Sequence, residues 1–193
     1  MIELTGPQKG TLALVGSGEY LPGMVDVDRF LLERISGNPR VVCMPTAAGK
    51  EGPASIRHWS TLGTDHFSEL GVQAEAVEVV DRDSAMDDSL SGRISSANFV
   101  YLSGGDANYL QLTLAGTKAH EAILGVLEKG GVVAGCSAGA MIWGQRIPRF
   151  LPPPWPWRRG FDLVPGTSIL PHFDEVPAWL VWGFHAINSS RPT

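Results

Sequence analysis

Two cysteines in 193 residues exclude a disulfide framework and a zinc knuckle. Cys43 and Cys136 each sit inside an apolar run, where a thiol packs as a small hydrophobe. No window nears the ~20 apolar residues of a membrane span. The first apolar run, residues 11–15, is too short for a signal-peptide core and lacks a cleavage site after it. A basic block is also missing: 15 Lys+Arg stand against 20 Asp+Glu, net charge −5. Nucleic-acid-binding domains ordinarily show a basic patch, so that class is set aside. Charged residues at 18% with hydrophobic residues at 44% match an ordinary globular chain and not disorder, collagen or coiled coil. The five histidines have no close pairing, so no metal site is expected, and the Lys-Ser/Thr of a P-loop is absent. These absences predict one cytoplasmic domain over residues 1–193, with no cofactor, metal, nucleic-acid or membrane partner.

What the chain does contain is a rhythm. Short apolar runs at residues 12–15, 41–44, 76–80, 99–102 and 132–134 end in Gly- or Pro-marked turns and alternate with longer amphipathic stretches. The runs are continuously apolar, as in strands covered on both faces. Helices are expected over residues 25–36, 53–70, 84–95 and 120–129. Strands alternating with helices predict a three-layer α/β sandwich around a mainly parallel sheet. Beyond residue 145 the texture changes. Residues 146–159 hold five prolines, two tryptophans and no acidic residue, which predicts a surface loop. A short strand is expected at 167–170, and the tail from 183 has no clear period. Trp155, Trp157, Trp179 and Trp182 suit a substrate wall, a partner surface or late core equally.

The sharpest chemical signal is Gly135-Cys136-Ser137-Ala138-Gly139, which follows the strand at 132–134 and opens a helical stretch at 138–143. This is the Gly-x-Ser-x-Gly elbow in strand–turn–helix context, which exposes its central residue as a nucleophile. Ser137 is that residue. Cys136 lies one place early and is read as packing. The bland alternative is a tight glycine turn with a solvated serine. A second turn, Ser103-Gly104-Gly105-Asp106, ends the strand at 99–102, at the sheet edge where α/β proteins bind ligands. An N–H of Gly104 or Gly105 could join that of Ala138 to stabilise an oxyanion. Equally, the turn could be ordinary, with Asp106 capping the next helix.

A serine nucleophile needs a base. His58, His66 and His120 fall in predicted helices as surface residues, and His185 lies in the tail. His172 follows a strand, with Pro171 fixing its backbone, and is the best candidate. Gly16-Ser17-Gly18 lacks the third glycine of a dinucleotide fingerprint, so a nucleotide site is disfavoured.

The chain resembles the peptidase S51 family, which includes aspartyl dipeptidase and cyanophycinase. The likeness rests on Gly16-Ser17-Gly18-Glu19, Pro45-Thr46-Ala47-Ala48, Leu102-Ser103-Gly104-Gly105-Asp106, Gly135-Cys136-Ser137-Ala138-Gly139-Ala140, and Gly160-Phe161-Asp162 leading to Pro171-His172-Phe173. It implies the flavodoxin-like, class I glutamine-amidotransferase-like fold and a serine peptidase acting on a small peptide substrate. In that reading Ser137 is the nucleophile, His172 the base, and Gly105 with Ala138 the oxyanion donors. Gly104, Asp106, Arg146 and Arg149 become candidate substrate-binding residues, and Arg158 and Arg159 could likewise meet a substrate carboxylate.

Family members continue well past the histidine into strands carrying the acid that orients it, whereas 21 residues follow His172 here. The expectation is a chain truncated at its C-terminal strands, with Asp162, Asp174 or Glu175 as substitute acids and low activity. An uncovered sheet edge would also favour a homo-oligomer. The rival readings are an inactive relative binding a ligand or partner in the same cleft, and an amidase or amidotransferase-like domain.

Overall fold

The computed structural model describes residues 2–3, 10–148 and 157–175. Its six-stranded sheet has the order β1-β2-β6-β5-β3-β4. The strands are β1 (Ile2–Glu3), β2 (Thr11–Val15), β3 (Arg40–Met44), β4 (Gln73–Ala76), β5 (Phe99–Leu102) and β6 (Val132–Cys136). All pairings are parallel except β1 on β2. The helices are α1 (Val25–Leu32), α2 (Pro53–Glu69), α3 (Arg82–Met86), α4 (Asp88–Ser96), α5 (Ala107–Leu114), α6 (Lys118–Glu128) and the short α7 (Ala138–Met141). The three-layer α/β expectation is met.

The two-residue period of the strands divides the core into two. Val42, Met44, Val100, Leu102 and Val133 pack with residues of α4, α5 and α6, whereas Val41, Cys43, Phe99, Tyr101, Val132, Ala134 and Cys136 pack with residues of α1 and α2. Both faces of β3, β5 and β6 are buried, which is why these strands read as continuous apolar runs. Each fully buried aromatic or aliphatic side chain contributes about 1.5–3 kcal/mol of apolar transfer. Helix starts follow local chemistry. Asp81 and Ser84 form a reciprocal capping box at α3, Asp106 accepts from the N–H groups of Asn108 and Tyr109 at α5, and Thr117 caps α6. At Asp81, hydrogen bonds from Ser84 hold the carboxyl below its ordinary pKa.

Several expectations are corrected. The strand expected at 76–80 lies earlier, at Gln73–Ala76, because β4 is an edge strand whose pairing with Arg40–Cys43 sets its register. The helix expected over 84–95 is two helices, broken at Asp87, which caps the second. Residues 167–170 form no strand, although Thr167 O accepts from the N–H groups of Gln145 and Arg146. The ends of the expected loop 146–159 pair as β7 (Arg146–Ile147) and β8 (Arg158–Arg159). Arg149, Trp155, Trp179, Trp182 and His185 lie outside the described residues.

Two histidines also differ. His66 is buried, with Nε2 at 2.8 Å from Asp28 Oδ2, because α2 turns it into the α1 interface. His120 is half-buried and stacks on Phe161 at 3.9 Å, and burial lowers its pKa. His58 is exposed, as expected.

Candidate active site

The turns after β2, β5 and β6 meet at one sheet edge, because these strands are consecutive in space and parallel. Ser137 leaves β6 directly. Its N–H donates to Val15 O at 3.0 Å, and its backbone sits at φ 49°, a left-handed conformation that costs a non-glycine residue energy. The flanking glycines make this turn packable. A Cβ at Gly135 would strike the Gly139 carbonyl, and one at Gly139 would strike the carbonyl of Leu102. Strain at the serine and contact at both neighbours account for the Gly-x-Ser-x-Gly pattern in steric terms.

His172 reaches the same place from 35 residues downstream. Its Nε2 lies 3.2 Å from Ser137 Oγ, and its N–H donates to Gly16 O at 3.3 Å. The histidine also has positive φ, 51°, which turns the chain sharply after Pro171. Of the three candidate acids, Glu175 places Oε2 3.7 Å from His172 Nδ1, outside hydrogen-bond range, on a side chain 74% exposed. Its N–H also donates to His172 O at 2.9 Å, closing the turn. Among the described contacts Asp162 and Asp174 make none with His172. Asp162 has a buried, unpartnered Oδ1, and Asp174 is exposed.

The second turn supplies N–H groups. Gly105, at φ 139°, lies against Ala47, whose carbonyl accepts from the N–H of Asp106 at 3.0 Å. No acceptor among the described residues bonds the N–H of Gly105 or of Ala138. The N–H of Gly104, by contrast, donates to Glu19 Oε1 at 2.8 Å.

Asp106 caps α5 and stands 3.5 Å from Lys50 Nζ. Burial raises its pKa, but the N–H groups of Tyr109 and Asn108 and the charge of Lys50 outweigh this and hold it below the ordinary carboxylate value. Arg146 is exposed and pairs in β7 with Arg159 of β8, and neither they nor Arg158 hydrogen-bonds Ser137 or His172.

Cys136 is fully buried, and its thiol lies 2.8 Å from Glu19 Oε2. Burial and the Glu19 carboxylate push its pKa well up, so it stays a thiol rather than a nucleophilic thiolate. Glu19 is the site residue that sequence reasoning missed as a chemical group. An acidic residue four positions past the apolar strand β2, after Gly16-Ser17-Gly18 at the sheet's ligand-binding edge, was the available signal.

Among the described residues no cluster of three or more His, Cys, Asp or Glu could hold a metal ion, and no helix is long and apolar enough to cross a membrane.

The solved structures that this parallel α/β sandwich resembles are peptidases. A peptidase from an acI-B1 Actinobacterium superposes with TM-score 0.82 at 33% identity, over 90% of this chain and 74% of that one. A putative peptidase E protein from Listeria monocytogenes EGD-e superposes with TM-score 0.52 at 24% identity, over 71% of this chain and 63% of that one, a likeness of fold. No curated protein matches. The profile of peptidase family S51 matches residues 12–179, and the chain belongs to that family.

Proposed function

We propose that the chain is a serine-type peptidase of small peptides, with cleavage next to an aspartyl residue as its expected preference. The observation that carries this is the 3.2 Å contact between His172 Nε2 and Ser137 Oγ at a strained elbow. His172, protonated at Nδ1, takes the Ser137 proton as Oγ attacks the scissile carbonyl. Negative charge then gathers on the carbonyl oxygen, where the N–H groups of Gly105 and Ala138 are the available donors. His172 returns the proton to the leaving amine, and water hydrolyses the acyl-enzyme by the same route.

Labelling by a fluorophosphonate, followed by peptide mapping, tests the nucleophile, and hydrolysis of aspartyl dipeptides tests the substrate class. Modification at Ser137 together with turnover supports the reading. An unlabelled Ser137 overturns it.

One observation favours a second reading, a catalytically impaired relative. Glu175 stands 3.7 Å from His172 Nδ1 in largely exposed surroundings, where a carboxylate orients an imidazole weakly. A protein labelled at Ser137 that turns over no peptide would select it.

A further inference from the structure

We propose that Glu19 is a positioning residue of the active site, holding the Ser103-Gly104-Gly105 turn against the elbow so that Gly105, and not Gly104, presents the oxyanion N–H. The inference rests on the serine-peptidase reading and extends it to a residue outside the serine–histidine pair.

The Glu19 side chain is buried where a carboxylate is costly unless hydrogen-bonded. It meets that cost with two bonds, one from the turn after β5 and one from the last residue of β6. Oε1 accepts from Gly104 N–H at 2.8 Å, and Oε2 accepts from the Cys136 thiol at 2.8 Å. β2 and β5 are not neighbours, since β6 lies between them. The carboxylate therefore spans the end of the nucleophile strand and ties together the three turns that build the site.

Its approach is set by backbone. Gly18 at φ 83° and Tyr20 at φ 62° bracket Glu19 in a turn closed by Leu21 N–H to Gly18 O at 3.1 Å. The Tyr20 ring is locked in the core, 4.8 Å from the Tyr101 ring. Gly104 leaves room for the carboxylate, because a Cβ there would come within 2.7 Å of Glu19 Oε1 and 3.4 Å of Ser137 Cβ. Glu19 and Ser137 thus border the same glycine. With the Gly104 N–H consumed, those of Gly105 and Ala138 remain for a ligand.

The test compares wild type with Glu19→Met, which fills similar volume without an acceptor, and Glu19→Gln, which keeps a carbonyl for Gly104. The readouts are the Gly104 amide signal by NMR, thermal melting, the rate of Ser137 phosphonylation, and kcat and KM for an aspartyl dipeptide. In Glu19→Met the Gly104 amide proton should lose exchange protection. Its kcat should fall ~100-fold, the scale of an ångström-sized misplacement, with KM within about threefold. Glu19→Gln should restore the amide signal and bring kcat to within about tenfold of wild type.

An unchanged Gly104 amide or unchanged kcat in Glu19→Met overturns the proposal, as does a loss in Glu19→Gln as large as in Glu19→Met while its Gly104 bond persists. A wild type that neither reacts at Ser137 nor hydrolyses peptide sinks the serine-peptidase reading itself. A labelled wild type matched in rate by Glu19→Met sinks the Glu19 role alone.

Discussion

Ser137 and His172 meet at 3.2 Å but are held by different kinds of structure. Ser137 follows a strand buried on both faces, and its neighbours Cys136 and Ala138 are fully buried. His172 lies outside the sheet with its side chain 44% exposed, tied by its N–H to Gly16 O and by Glu175 N–H to its own carbonyl. A close-packed core fixes the serine, because moving it would open voids or force overlaps. A few backbone hydrogen bonds fix the histidine, each contributing only about 0.5–1.5 kcal/mol net. Substitutions around the serine should therefore register as lost folding, and substitutions around the histidine as lost rate.

The largest expected effect tests the nucleophile side for chemistry alone. Ser137→Ala should lower hydrolysis by roughly 10⁴-fold or more with little change in melting temperature, since it removes one oxygen at a partly buried position. Cys136→Ala should stay within about tenfold of wild type. A Ser137→Ala protein of full activity would refute the assignment.

Next comes the packing that supports the serine. Gly139→Ala places a methyl against the Leu102 carbonyl and should cost about 1–3 kcal/mol as overpacking, read from urea unfolding. No loss of stability would mean that the elbow is looser than its contacts imply.

On the base side, Glu175→Gln should leave folding intact and lower kcat only about threefold, because the carboxylate is exposed and beyond hydrogen-bond range. A drop near the ~10⁴-fold expected for a full orienting acid would instead show that Glu175 closes onto His172 during catalysis.

A similarly small effect concerns the Ser103–Asp106 turn. Asp106→Ala removes the α5 cap and should cost about 1 kcal/mol at neutral pH. The Asp106 pKa is lowered by folding, so its stabilisation is complete above the unfolded value of about 3.9 and fades as pH falls through the lowered folded value. Unfolding curves of wild type and variant should therefore converge in acid. A gap that widened in acid would contradict the sign.

Much of the site was legible because its signals are local. The elbow glycines, the Ser103–Asp106 turn and Pro171-His172 each announce a backbone conformation through residue type, and the apolar runs announce a sheet buried on both faces. Where the expectations slipped, a partner from elsewhere in the chain decided the outcome. β4 takes its register from β3, His66 is buried by α1, and Thr167 bonds to residues 145 and 146 without residues 167–170 forming a strand.

The sequence by itself determined the alternation of strands and helices and the tight strand-to-helix turn that carries Ser137, since each depends on short-range pattern and turn chemistry. Tertiary structure alone decided that His172 reaches Ser137, that Glu175 stands just too far from the imidazole, and that Glu19 turns inward to hold Gly104 and Cys136. The Glu19 contacts depend on strand order. β6 lies between β2 and β5, and only that order, a long-range property no local pattern records, brings turns separated by scores of residues into hydrogen-bond distance.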